Sequence, residues 1–125
     1  MAATLEYSAT VLDLFARRPF AGRMPPTPGV VTGEAGERAL GAQVQFWLKC
    51  SGQRIQAVSF LAYGCPHTIA AASWWAPRVQ GLSLNDAKQV GWREAEQALS
   101  IPTEKRGRLL VVEDAMHAAL QAAGA

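Results

Sequence analysis

The chain has 125 residues, 50% of them hydrophobic, and a formal net charge of +2, the size and balance of one globular domain that needs no disulfide staples. So small a charge, with no dense basic stripe interleaved with aromatics, argues against a nucleic-acid binder. No apolar run reaches the roughly eighteen residues of a membrane span, and residues 1–7 carry no secretory pattern. A single cytoplasmic domain over residues 1–125 is therefore expected, with no membrane partner and with its two cysteines reduced rather than bridged.

Residues 4–17 place Leu5, Val11, Leu12, Leu14 and Phe15 among polar residues, which predicts a short amphipathic helix stopped by Pro19 and Gly22. Three prolines in residues 24–29 predict a stiff connector. Residues 43–50 then alternate, with Val44, Phe46, Leu48 and Cys50 on one face and Gln43, Gln45, Trp47 and Lys49 on the other. That is a half-buried strand, with Cys50 in the core and Trp47 a candidate for exposure. Ser51 and Gly52 turn the chain, and residues 55–63 return as the second strand of an antiparallel hairpin. Residues 33–40 are a weaker third strand.

At Gly64 the apolar strand breaks and delivers Cys65 to the start of a helix over residues 66–79, with Pro66 suited to its first turn and Gly81 as its stop. Ser83, with Asp86 three residues on, caps a short helix in a near capping-box pattern. Residues 92–99 form another helix that ends before Pro102. The last runs over residues 108–123, with Leu109, Val112, Met116, Ala119 and Leu120 at helical spacing. Trp74 and Trp75 would point about 100° apart on their helix, so one of them is expected at the surface, as part of a partner face or at the core edge. The sum is an α+β domain: a small antiparallel three-stranded sheet covered on one face by helices, with an N-terminal helix and a long C-terminal helix.

Chemistry centres on Cys65. A thiol at a helix start faces unpaired N–H groups and the positive end of the helix dipole, both of which favour thiolate. Two readings stand at this point: a nucleophilic or metal-binding thiolate, or a small buried hydrophobe. His67, on the first turn, either approaches the same site as base or ligand or faces solvent. His117, four residues after Glu113, reads as surface. No short Cys or His spacing of zinc type occurs.

In order and spacing, these residues resemble the IscU/NifU-type scaffold proteins of iron–sulfur cluster assembly over nearly the whole chain. The resemblance begins at Tyr7, Ser8 and Asp13. It is sharpest from Phe60 to Ala87, through Tyr63, Gly64, Cys65, Ile69, Ala70, Ser73, Gly81, Ser83 and Leu84, and resumes at Glu113, Asp114 and Ala115. It implies a SufE/NifU-like fold, a cysteine desulfurase or other assembly proteins as partners, and a scaffold or sulfur-carrier role rather than an enzyme.

Scaffolds of this type hold a nascent 2Fe–2S cluster with three cysteines assisted by an aspartate and a histidine. The resemblance puts Leu40 at the first cysteine, Ala42 at the aspartate, and Gly107 and Arg108 at the histidine and third cysteine. Cys65 alone keeps a ligand, so the implied cluster finds one soft donor where about four are needed. A thiolate beside Arg108 is net neutral, and iron loses its attraction. The chaperone-recognition segment of the family falls on Ile101, Pro102, Thr103, Glu104 and Lys105, with Glu104 at an apolar position.

Two readings follow from the resemblance. In one, Cys65 accepts a persulfide from a desulfurase, with Arg108, Lys105 and His67 as accessory residues, since positive neighbours favour the anionic sulfur. In the other, the chain is a non-catalytic adaptor or regulatory module that uses the partner surface of the fold, with Leu40 and Ala42 making the old ligand pocket apolar. A cluster bridged between two chains, each giving Cys65, is a third arrangement.

Overall fold

Alternation of Val44, Phe46 and Leu48 builds the central strand of the sheet, and all three are fully buried. In the computed structural model, which describes residues 7–125, the elements are α1 (Ala9–Arg17), β1 (Val30–Glu37), β2 (Ala42–Ser51), β3 (Arg54–Tyr63), α2 (Pro66–Val79), α3 (Leu84–Ala87), α4 (Trp92–Leu99) and α5 (Arg106–Ala122). Single 3-10 turns fall at Arg38–Leu40 and Thr103–Lys105. The sheet is antiparallel in the order β1-β2-β3. Helix α5 packs on β1 and β2, and α2 packs on β3, which is the expected α+β layering.

The helical start at Ala9 has a local cause. The Ser8 hydroxyl accepts from the Val11 N–H at 3.1 Å and donates to the Leu99 carbonyl at 2.7 Å, which caps α1 and ties it to the end of α4. Leu5, in the predicted first turn, lies outside the described residues. The first strand is shifted from the expected 33–40. Its register pairs Val30 with Lys49 and Glu37 with Ala42, so the chain must reverse after Glu37. Arg38–Leu40 tighten into the turn, and Gly41, at φ 93, closes it.

Close packing of α5 on β1 depends on Gly33, where a Cβ would overlap the backbone of Ala119. At the far end of the hairpin, a register shift between Lys49 and Cys50 lifts Cys50 out of the strand alternation. Cys50 is therefore half-buried at the rim of the core, packed against it but not enclosed by it. Ser83 caps α3 as predicted, accepting from the Asp86 N–H at 3.0 Å.

The tryptophans correct the sequence reading. Trp74 and Trp75 are both buried, because α2 is enclosed by α1, β3 and α5 and has no solvent face to offer over most of its length. Their rings meet edge to face at 5.3 Å, and the Arg78 guanidinium lies 4.1 Å from the Trp74 centroid. Trp47 is buried as well. It lies on the outer face of the sheet, where the Arg23 guanidinium stands 5.9 Å from its centroid.

Among the described residues, no helix is long and apolar enough to cross a membrane.

Candidate functional site

Gly64 and Pro66 together aim Cys65. Gly64 holds φ 153 and passes so close to its neighbours that a Cβ would lie 2.8 Å from Thr68 Oγ1 and 3.2 Å from the Gly41 carbonyl oxygen. Cys65 is the N-cap of α2 in an extended conformation, with Pro66 following as the first helical residue. Its carbonyl accepts from the Thr68 and Ile69 N–H groups at 3.0 and 3.2 Å, which closes the first turn. The side chain is half-buried beside the Thr68 hydroxyl, with Sγ 3.8 Å from Oγ1.

Burial pushes the Cys65 thiol up, but the groups around it outweigh burial. The Thr68 N–H and hydroxyl, the His67 N–H and the Arg108 guanidinium bring the thiol below its ordinary value. Cys50 goes the other way: burial raises it, and nothing opposes the rise. The two thiols occupy opposite ends of the hairpin, Cys50 opposite Ile55 and Cys65 just beyond Tyr63, so they are not placed to bridge.

Two of the sequence positions matched to cluster ligands, the turn of Leu40 and Arg108, come close to Cys65 or its neighbour Gly64. The turn carrying Leu40 and Gly41 lies against Gly64, and a Cβ at Gly41 would lie 3.8 Å from Arg108 Nη2. Ala42 is buried at the start of β2, whereas Leu40 is exposed and Gly107 is exposed on the first turn of α5. The donors gathered at this junction are therefore one thiol, one hydroxyl and one guanidinium. No group of three His, Cys, Asp or Glu side chains suited to a metal occurs among the described residues. A cationic iron cargo does not fit this set, since its one thiolate is already balanced by an arginine. Arg108 Nε is itself buried with no hydrogen-bond partner among the described residues, leaving donor capacity that suits an anion.

The accessory residues divide. Arg108 faces the Cys65 sulfur. Lys105 lines a separate cleft of about 410 Å³ with Tyr7, Ser8, His67, Ser100 and Pro102. The solvent-facing alternative for His67 does not hold: it is 1% exposed, with its ring tilted against Tyr7, centroids 4.7 Å apart. Its backbone N–H acts on Cys65. Tyr7 covers it, a contact between chain segments some sixty residues apart that no local pattern signals. In the segment matched to chaperone recognition, Ile101 is buried and Thr103–Lys105 fold into a 3-10 turn. His117 is exposed, as expected of its helix face.

Sheet order, the helices packed on one face and a glycine-delivered cysteine at the mouth of α2 define an α+β domain with a single helix-start thiol, and the chain belongs to the family of NifU-like N-terminal domains, whose model matches residues 6–123. It is 35% identical over 118 residues to the bifunctional protein NifU/MnmA of Rubrobacter xylanophilus, covering 92% of this chain and 24% of that protein. Against the mitochondrial iron sulfur cluster assembly protein 1 of Candida glabrata, identity is 30% over 92% of this chain and 55% of the relative. The chain thus spans about a quarter and about half of the length of these two relatives. It matches the iron-sulfur cluster assembly scaffold protein IscU of Azotobacter vinelandii at 28% identity, over 94% of this chain and 93% of that one.

Solved structures show the same fold. One, described as an iron-sulfur cluster assembly scaffold protein for the SUF system from Fervidobacterium islandicum, superposes with a TM-score of 0.75 at 15% identity, covering 94% of this chain and 98% of that one. A NifU-like N-terminal domain from Brucella abortus gives 0.70 at 16% identity, over 94% of each chain.

Proposed function

We propose that this chain serves iron–sulfur cluster biogenesis in the cytoplasm as a non-enzymatic sulfur acceptor of the scaffold family. The observation that carries the reading is Arg108 beside Cys65, at the position where a scaffold of this type would place a third thiolate. An arginine there selects an anionic sulfur species over an iron cation. The names of the relatives support the pathway, and the donor set supports this particular step within it.

The step is a sulfur transfer with no net oxidation. The Cys65 thiolate attacks the terminal sulfur of a persulfide R–S–SH on the donor protein. A new S–S bond forms at Cys65, the donor S–S bond breaks, and the donor cysteine leaves as a thiolate. The terminal sulfur keeps its proton or releases it to water, and the product is Cys65–S–SH. The lowered thiol supplies the nucleophile, the Thr68 hydroxyl orients it, and Arg108 balances negative charge on the reacting sulfurs. Iron and cluster are cargo of the pathway and have no place in this step.

The test is incubation with a cysteine desulfurase and L-cysteine, followed by intact-mass measurement. Wild-type protein gains one sulfur on Cys65, and the Cys65→Ser variant gains none. A wild-type chain that gains no sulfur overturns the reading. So does a Cys65→Ser variant that keeps full biological activity, which would instead mark the chain as an adaptor.

A further inference from the structure

Among the described residues, five large hydrophobic side chains stand exposed, and three of them cluster next to Cys65: Leu40 at 76%, Tyr63 at 47% and Leu61 at 37%. Leu61 and Tyr63 are on the outer face of β3 and line one groove of about 340 Å³ with Arg23, Arg38, Gln43 and Gln45. Leu40 continues the patch, because its turn begins at Arg38 and runs into Gly41, whose carbonyl faces Gly64. Tyr63, at one end of the groove lining, is separated from Cys65 by Gly64 alone. Helices cover the opposite face of the sheet, while on this face Arg23 stands over the buried Trp47 and leaves Leu61 and Tyr63 exposed beyond it.

The side chains of the groove are already arranged for a partner. The Arg38 guanidinium stacks 4.9 Å from the Tyr63 centroid, and Arg23 stands 5.9 Å from Trp47 at the other end. A guanidinium held over an aromatic ring keeps N–H groups with which to meet a carboxylate. Glu34, the carboxylate in the lining, accepts from Gln43 Nε2 at 3.1 Å. Gln45 Nε2 donates to Thr32 Oγ1 at 2.9 Å, which orders the floor. Arginine with exposed tyrosine is the composition of an interface centre, not of an ordinary wet surface.

We infer that this groove is the docking surface for a carboxylate-bearing segment of the protein that hands sulfur to Cys65. The inference rests on the sulfur-acceptor reading and adds where the donor binds and what chemistry it presents. Charge complementarity selects the acidic segment: Arg23 and Arg38 both line the groove, and a third arginine, Arg108, acts on Cys65 itself. Continuity selects the donor as the occupant. A persulfide must bring its terminal sulfur into contact with the Cys65 sulfur, and the surface next to that sulfur is this patch. Leu40 and Tyr63 supply the apolar anchor, and the arginines set the orientation and the encounter rate.

The experiment loads Cys65 in two ways, from a cysteine desulfurase with L-cysteine and from inorganic polysulfide, which needs no docking, and reads the rate of sulfur addition by mass. Arg38→Glu and Tyr63→Ala change exposed positions, and circular dichroism confirms that each variant folds. Donor-driven loading falls about tenfold or more in both, while polysulfide loading stays within about twofold of wild type. Donor-driven loading of wild type also slows as salt is raised, and Arg38→Glu flattens that dependence.

Equal donor-driven rates in wild type and both variants overturn the docking surface and leave the acceptor reading intact. Failure of wild type to load from either source overturns the acceptor reading and, with it, the docking proposal. A concentration-dependent dimer that Tyr63→Ala and Leu40→Ser abolish, with donor-driven loading unchanged, assigns the face to a second copy of the chain and also overturns it.

Discussion

The buried hydroxyl of Thr68 lies 3.8 Å from the Cys65 sulfur, one turn into the helix that Cys65 caps. Three positions along a helix bring two side chains to the same face, so this pairing follows directly from the sequence spacing. Thr68→Val removes the hydroxyl while keeping the branched shape, and the Cys65 thiol should rise toward its ordinary range. The measurement is the pH dependence of alkylation by iodoacetamide. Alkylation at neutral pH should slow severalfold in Thr68→Val and stay near wild type in Thr68→Ser. An unchanged profile in Thr68→Val would contradict the assignment.

The lowered thiol also links stability to pH. Because the native Cys65 value lies below the unfolded one, the unfolded chain binds the extra proton in the window between them. The contribution is fully present above the ordinary thiol value of about 8.5 and is lost as pH falls through the native value. Urea midpoints of wild type and Cys65→Ala, compared between pH 6 and 9, should therefore diverge in favour of wild type as pH rises. Cys50, whose raised thiol acts in the opposite direction, is common to both proteins and cancels. A gap that shrinks with rising pH would reverse the sign of the account.

Returning the missing donors should return metal chemistry. The turn of Leu40 lies against Gly64, Arg108 acts on Cys65, and Ala42 precedes Gln43, which pairs with Tyr63, so Leu40→Cys, Ala42→Asp and Arg108→Cys together restore the thiolate-rich set that the family resemblance describes. Anaerobic reconstitution with iron and sulfide should leave wild type colourless after desalting and give the triple variant visible charge-transfer absorbance. A wild-type chain that retains the colour would show that Arg108 does not exclude iron.

Gly33 sets the distance between helix and sheet. A methyl group there meets the Ala119 backbone, and backbone cannot swing away as a side chain can. Gly33→Ala should destabilise the chain by about 1–3 kcal/mol or more, the range for overpacking a close contact. Chemical denaturation measures the loss. A variant as stable as wild type would mean that α5 sits farther from β1 than described.

The strand alternation, the hairpin of β2 and β3, whose turn falls one residue later than expected, at Gly52 and Gln53, and helix 92–99 were legible in the sequence because each is governed by local periodicity and turn chemistry. So was the Cys65 helix start, which Gly64 and Pro66 mark from either side. Trp47, Trp74, Trp75 and His67 were not. Their burial depends on what packs over them: α1 and α5 around α2, Arg23 over Trp47 and Tyr7 over His67. None of those partners is close in sequence to the residue it covers. The family resemblance placed Arg108 near Cys65, while the separation of Lys105 and His67 into their own cleft emerged only from the fold.

Counting sulfur and iron in one sample tests the central claim most directly. The chain is incubated anaerobically with a cysteine desulfurase, L-cysteine and ferrous iron, then desalted and analysed for sulfane sulfur and metal. The account predicts one sulfane sulfur on Cys65 and no bound iron. Iron and sulfide recovered together at cluster stoichiometry, with no persulfide on Cys65, would contradict it.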